Sequence, residues 1–106
     1  MESALSVIAD KLVEVAVKRA CLLKVEETEI EKVTGISLRE LGREVIERVS
    51  FWFVERQNQN LRCKLCSKGP FTRKGMYLHL VRLHRREVKK IIEEEIKLEI
   101  SRIIKS

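Results

Sequence analysis

The stretch Cys63-Lys64-Leu65-Cys66, followed after twelve intervening residues by His79 and after four more by His84, decides how this chain folds. Two thiolates across a two-residue turn can hold one side of a tetrahedral metal ion. Two imidazoles about one helical turn apart can hold the other. The pattern C-x2-C-x12-H-x4-H falls within the ligand spacing of a small structural zinc site. Cys63, Cys66, His79 and His84 are therefore the expected ligands of one structural Zn2+. The spacing also constrains the backbone, because residues five apart on an ideal helix are rotated by about 140°. A regular helix cannot aim both His79 and His84 at one ion. A distortion or tightened turn is expected between Leu80 and His84, with the helix re-forming beyond it.

Residues 61–86 resemble a C2H2-type zinc finger. The resemblance rests on the four ligands, on Leu61 two residues before the first Cys, on Ser67-Lys68 after the second, on Phe71, and on Met76 three before His79. Phe71 lies one residue later than in the family and follows Gly69-Pro70, which predicts a remodelled hairpin end. Met76 replaces the usual Leu, a swap of similar volume. The resemblance implies a small ββα finger. Counted back from His79, the helix positions that reach base edges in such fingers fall on Thr72, Gly75 and Leu78, with Lys74 beside them. Glycine offers no side chain there, and leucine can at most touch a thymine methyl.

The 106 residues suffice for one domain or two very small ones. Hydrophobic residues make up 44%, enough for a modest core, and charged residues 36%, above the ordinary share. With no long apolar run, no membrane span is expected. Glu2 without a basic lead-in does not suit a signal peptide. Three Cys alongside a His pair fit an intracellular, cytoplasmic metal protein better than a disulfide framework. One Asp against 15 Glu, with two Asn and two Gln, leans towards a hyperthermophilic source. Single fingers embedded in small helical proteins resemble regulators of archaea and their viruses, and a viral protein of that kind would work in the host cytoplasm.

Charge is segregated. Residues 1–60 carry a net −2, residues 61–90 a net +9 and residues 91–106 a net −1. A concentrated basic patch is the footprint of a polyanion binder, most often nucleic acid; the alternative is a solvated face. Thr72 and Lys74 can donate to bases. Arg62, Lys64, Lys68, Arg73, Arg82, Arg85, Arg86, Lys89 and Lys90 suit phosphates, which position a protein without specifying sequence.

Outward from the finger the pattern is mostly α. Ser3 can cap a helix to about Lys24 whose apolar residues cover most of its circumference, so several neighbours or a second copy must bury it. Cys21 on that helix is expected in the core. Residues 25–36 form a connector with room for one helical turn. Ser37-Leu38-Arg39-Glu40 matches a capping box, and Leu38, Leu41, Val45, Val49 and Trp52 give a helical period to about Arg56. This connector and helix faintly resemble a helix-turn-helix, but Glu31 and Glu44 depart from that pattern and a plain helical hairpin is expected. Phe51-Trp52-Phe53 suits core or subunit contact better than base stacking. Gln57-Asn58-Gln59-Asn60 is the expected linker. Val88, Ile92, Ile96, Ile100 and Ile104 form a four-residue row favouring a C-terminal helix over a short strand at 96–100.

The expected organisation is a helical region over 1–60, a zinc-stabilised finger over 61–86 and a C-terminal helix over 87–106 that continues the finger helix. The expected activity is DNA binding by a small transcriptional regulator acting on double-stranded DNA as a homodimer. RNA binding and a protein-interaction module with purely structural zinc are the alternatives. A closed four-ligand shell and the lack of a glycine-rich phosphate loop argue against an enzyme or a small-molecule substrate.

Overall fold

Ser3 accepts a hydrogen bond from the Ser6 amide on its hydroxyl and opens the first helix, α1 (Ala4–Ala20), as a residue of its type should. The computed structural model describes residues 3–105. After α1 come α2 (Glu27–Thr34), α3 (Arg39–Phe53), β1 (Val54–Gln57), β2 (Asn60–Cys63), α4 (Arg73–Leu83) and α5 (Arg85–Lys105). Among the described residues the fold is thus mostly α, with one two-stranded sheet, as the sequence predicts. No helix is long and apolar enough to cross a membrane.

The first helix stops short of Lys24. Leu22 takes a left-handed φ of +62°, the Leu23 amide donates to the Lys18 carbonyl at 2.9 Å and the Leu22 amide to Arg19 at 3.2 Å. These two bonds close the helix in a Schellman motif, with leucine where glycine is usual. The broad apolar surface of α1 is covered within the chain: it packs against α2, α3, α4 and α5. Ala9, Val13, Ala16 and Val17 are fully buried, and Cys21 lies in the core as expected.

The connector holds a complete eight-residue helix, α2, rather than one turn. Glu29 supplies the missing start signal by accepting from the Glu26 amide at 2.9 Å, and Lys18 ties it to α1 at 2.7 Å. By contrast, the capping box at Ser37 does not form. The residue capping α3 is Leu38, with no side-chain cap bond, because Glu40 is held at 3.0 Å by Arg43, which also reaches Glu27 at 2.6 Å. Gly42 lets α2 and α3 approach: a Cβ there would lie 2.8 Å from Thr34 Cγ2.

The core face of α3 is Gly42, Val45, Ile46, Val49 and Phe53. Trp52 is not on it, and only Phe53 of the aromatic triplet is core; Phe51 and Trp52 are 70% and 64% exposed. The helix ends at Phe53, before the expected Arg56, because Val54 turns into a strand. Its last carbonyls are taken by one residue: the Lys64 amide donates to Phe53 at 2.9 Å and the Lys64 ammonium to Phe51 at 2.7 Å, a favourable place for a cation.

The expected linker is a hairpin tip. β1 pairs antiparallel with β2 in the register Val54↔Cys63, Glu55↔Arg62, Arg56↔Leu61 and Gln57↔Asn60. The finger's own second strand is reduced to a bridge on the other edge of β2, where Leu61 and Phe71 exchange amide–carbonyl bonds of 2.9 and 2.7 Å. The remodelling has a local cause, since Pro70 has no N–H to contribute. Gly69 admits the close approach, as a Cβ there would lie 3.1 Å from Arg62 Cα and from the Leu61 carbonyl oxygen.

The C-terminal segment is helix, not strand. Val88, Ile92 and Ile96 pack in the core against α1 and α3, but Ile100 and Ile104 are 37% and 76% exposed. A four-residue row advances about 40° per step on a 3.6-residue helix, so it leaves the core as it runs on. Ile92→Ala is expected to cost about 2–5 kcal/mol in denaturant unfolding, whereas Leu98→Ala, on the exposed side, should stay within about 0.5 kcal/mol.

The Glu29 carboxyl is held below its ordinary value by the Glu26 amide first and Lys18 second. Its contribution is therefore present above the ordinary Glu value, about 4.3, and is lost as pH falls through the lower folded value. Acid-unfolding curves of the parent and Glu29→Gln should differ at neutral pH and converge at the acid end.

Candidate metal centre

Cys63 ends β2, and the chain then turns tightly, with the Ser67 amide donating to the Cys63 carbonyl at 2.8 Å and Ser67 at a φ of +65°. This knuckle places Cys66 beside Cys63. Thr72 caps α4 by accepting from the Gly75 amide at 3.1 Å, which fixes the helix that carries His79. His84 is where the helix breaks: it takes φ −123° and ψ 19°, its amide closes α4 on Leu80 at 2.9 Å, and its carbonyl receives the Val88 amide of α5 at 2.9 Å. The expected distortion is present, at the position that the five-residue spacing demands.

One donor atom from each of Cys63, Cys66, His79 and His84 lies within 4.8 Å of the other three. Cys66 Sγ is 3.3 Å from His79 Nε2. Neighbouring donors in a four-coordinate thiolate–imidazole site are about 3.3–3.8 Å apart; the Cys66–His79 pair lies in that range and the cluster of four is compatible with one metal ion. Cys63, His79 and His84 are buried and Cys66 is half-buried.

The surroundings orient the donors. Glu87 Oε1 lies 2.8 Å from His84 Nδ1, leaving Nε2 of that ring for an ion, the carboxylate–histidine arrangement common at metal sites. Phe71 stacks on His79 with ring centroids 4.6 Å apart. Burial first, and then His84, lower the His79 pKa. For His84, burial works downward but Glu87 and Cys66 outweigh it and raise the value. The Lys68 backbone amide, with His84, holds the Cys66 thiol below its ordinary value, while burial pushes Cys63 up. Burial, with Cys63 adding to it, raises the Cys21 thiol to about 12, as suits a neutral core residue, and Cys21 is not among the four clustered donors.

The residues expected to meet nucleic acid separate into two groups. Arg62 is engaged with Gln57 and the Ser67 carbonyl, Lys64 caps α3, and Arg85 reaches Asp10 and Glu14 of α1 at 3.5 Å each. Those three hold the structure together. Lys68, Thr72, Arg73, Lys74, Arg82, Arg86 and Lys90 are exposed, and Lys89 is half-buried. Lys74, Leu78 and Arg82 recur at four-residue steps and share one face of α4. Glu87 is the residue that sequence reasoning missed. Its signal was available, since it is the single acid in residues 61–90 and stands three after His84.

Compared with known protein families, with curated proteins and with solved structures, the chain matches none. The site must therefore be read from its own geometry. Glu87→Gln is expected to weaken metal binding about 10- to 100-fold, read by chelator competition with Co2+ as the spectroscopic probe, and Cys66→Ala should remove the thiolate charge-transfer band of that complex in part and the tight binding altogether.

Proposed function

We propose that the bound ion is zinc and that the chain is a DNA-binding protein of the C2H2-finger kind, a small regulator that docks mainly on phosphates. Two thiolates and two imidazoles suit zinc over harder cations. Such an ion would be held by Cys63, Cys66, His79 and His84 and would supply folding energy rather than chemistry. Four protein ligands leave no position for a substrate or water, so no catalysis is assigned.

The observation that carries this reading is the contrast in how cations are partnered. On the helical scaffold every arginine of α1, α3 and α5 outside the His84 joint (Arg19, Arg39, Arg43, Arg48 and Arg102) and the lysines Lys18 and Lys24 are ion-paired with glutamates, leaving Lys11, Lys32 and Lys97 exposed on separate helices and not ion-paired among the described residues. On the finger and its exit Lys68, Arg73, Lys74, Arg82, Arg86 and Lys90 are exposed and have no carboxylate partner among the described residues. Unpaired cations gathered on one unit are placed for an anionic polymer, because nothing within the fold neutralises them. Duplex DNA is preferred to RNA on the strength of the finger resemblance, and competition with structured RNA separates the two.

A second reading has its own observation. Phe51 and Trp52, with Ile103 and Ile104 at the end of α5, are large apolar side chains left exposed, which favours association with a protein or a second copy. Sedimentation of the metal-loaded protein tests it: a monomer with no concentration dependence removes the homodimer.

Binding to mixed-sequence duplex DNA across a salt series should show a slope of about 0.9 log units per phosphate neutralised. Replacing Lys74, Arg82, Arg86 and Lys90 by Gln should reduce that slope by about 3 to 4 log units and weaken binding. Arg85→Gln should act more on stability than on the slope, since its partners are in α1. A parent protein that ignores duplex DNA even at low salt would sink the reading.

A further inference from the structure

The finger helix is a poor reader of bases, with glycine and leucine at two of its three reading positions. The strongest feature left unused lies at the other end of the same unit. The whole chain contains two Asn and two Gln, and all four are consecutive, Gln57-Asn58-Gln59-Asn60. They form the tip of the β1–β2 hairpin: Gln57 faces Asn60, with Asn58 and Gln59 in the turn and Asn58 at a left-handed φ of +56°. The turn alone accounts for Asn58, since asparagine tolerates that conformation, but it does not account for the other three amides. Residues 55–60 are exposed throughout. Gln57 is occupied as an acceptor for Arg62 at 3.2 Å, while the side chains of Asn58, Gln59 and Asn60 make no hydrogen bond to another described residue. Three of the four side-chain amides of the chain are thus gathered where the fold makes no use of them.

Their neighbours are cationic. Arg56 and Arg73 line, with Asn58, Gln59 and Asn60, one groove of about 430 Å³. Neither arginine has a carboxylate partner among the described residues. Arg73 belongs to the first turn of α4, so the hairpin tip and the basic finger helix adjoin across this groove. The ribbon is also held firmly. β2 is bonded on one edge to β1 and on the other to Phe71, and it ends in the ligand Cys63. A rigid support is what a reading element needs.

We propose that this hairpin tip is the base-reading element, entering the major groove of duplex DNA with Asn58, Gln59 and Asn60 against base edges while Arg56 and Arg73 meet the flanking phosphates. The inference rests on the DNA-binding reading above and adds to it the source of specificity. The major groove, about 12 Å wide, admits a two-stranded ribbon, and Asn and Gln pair bidentately with the N6 and N7 edge of adenine. The preferred sites therefore contain adenine where the tip docks.

The test is selection from a randomised duplex library with the full-length, zinc-loaded protein, followed by titration of the selected site and of mixed-sequence duplex. Selected sites are expected to carry adenines. Asn58→Ala/Gln59→Ala/Asn60→Ala should lose the preference for them by roughly 5- to 150-fold per bidentate contact, with affinity for mixed duplex changed less than about twofold because phosphate contacts remain. Metal stoichiometry and helical circular dichroism of the variant report that it folds. Side-chain amide resonances of Asn58, Gln59 and Asn60 should shift when the selected duplex is added to the parent protein. The proposal is overturned, with DNA binding left standing, if the variant keeps the site preference, if those resonances do not move, or if the parent binds mixed duplex without selecting any sequence. Displacement of duplex by structured RNA at lower concentration also overturns it. Absence of duplex binding at low salt removes the DNA reading and this inference together.

Discussion

Two imidazoles five residues apart converge on one Cys/His cluster, and the course of the last quarter of the chain follows from that geometry. The helix cannot continue through His84, so the backbone leaves the helical region there and restarts at once. The new direction brings Val88, Ile92 and Ile96 into the core against α1 and α3. His84 is thus both a ligand and the joint between two helices. Binding of an ion and closure of the bundle would be coupled through one residue, so that a free energy of ligation, about 10–16 kcal/mol in isolated fingers, would support more than the finger.

Two further cations secure the joint between finger and scaffold. Lys64, inside the Cys63–Cys66 knuckle, satisfies the last carbonyls of α3, and Arg85, immediately after His84, reaches back to two acids of α1. Both belong to the basic stretch of the sequence, but they are structural. Arg62 is likewise engaged, whereas Lys68, Arg73, Lys74, Arg82 and Arg86 face solvent. The division explains how a chain so rich in charge can keep one basic surface: the scaffold pairs most of its arginines with neighbouring glutamates, while the finger has almost no acids with which to do so. Each exposed pair adds little stability by itself, but together the pairs confine the unbalanced charge to one place.

The ligand set, the break at His84, the mostly helical fold and the core role of Cys21 were legible because each follows from a local rule of spacing or hydrophobicity. Where the sequence misled, tertiary partners outweighed local preference. Ser37 and Glu40 have the pattern of a capping box, but Arg43 holds Glu40 elsewhere. Trp52 continues the three- and four-residue period of α3, yet the core takes Phe53 one position later. Gln57–Asn60 has the composition of a linker, and only the pairing of β1 with β2 makes it a turn. Strand β1 was hidden because Val-Glu-Arg-Gln has little β character of its own; it forms as an added edge on a strand already positioned by Cys63 and Phe71. Glu87 was passed over because a lone acid in a basic run is noticed for its charge before its distance from a ligand.

Lys64 also gives the molecule an optical readout. The chain has a single tryptophan, Trp52, and it stands between Phe51 and Phe53, whose carbonyls receive the Lys64 ammonium and amide. The indole is largely in water, where emission is sensitive to nearby charge and to the order of its own backbone. Any event that loosens the knuckle withdraws a cation from the turn of helix that carries this ring. The end of α3 is therefore wired to the ligand loop, and the fluorescence of an unlabelled protein can follow the state of a site that contains no chromophore.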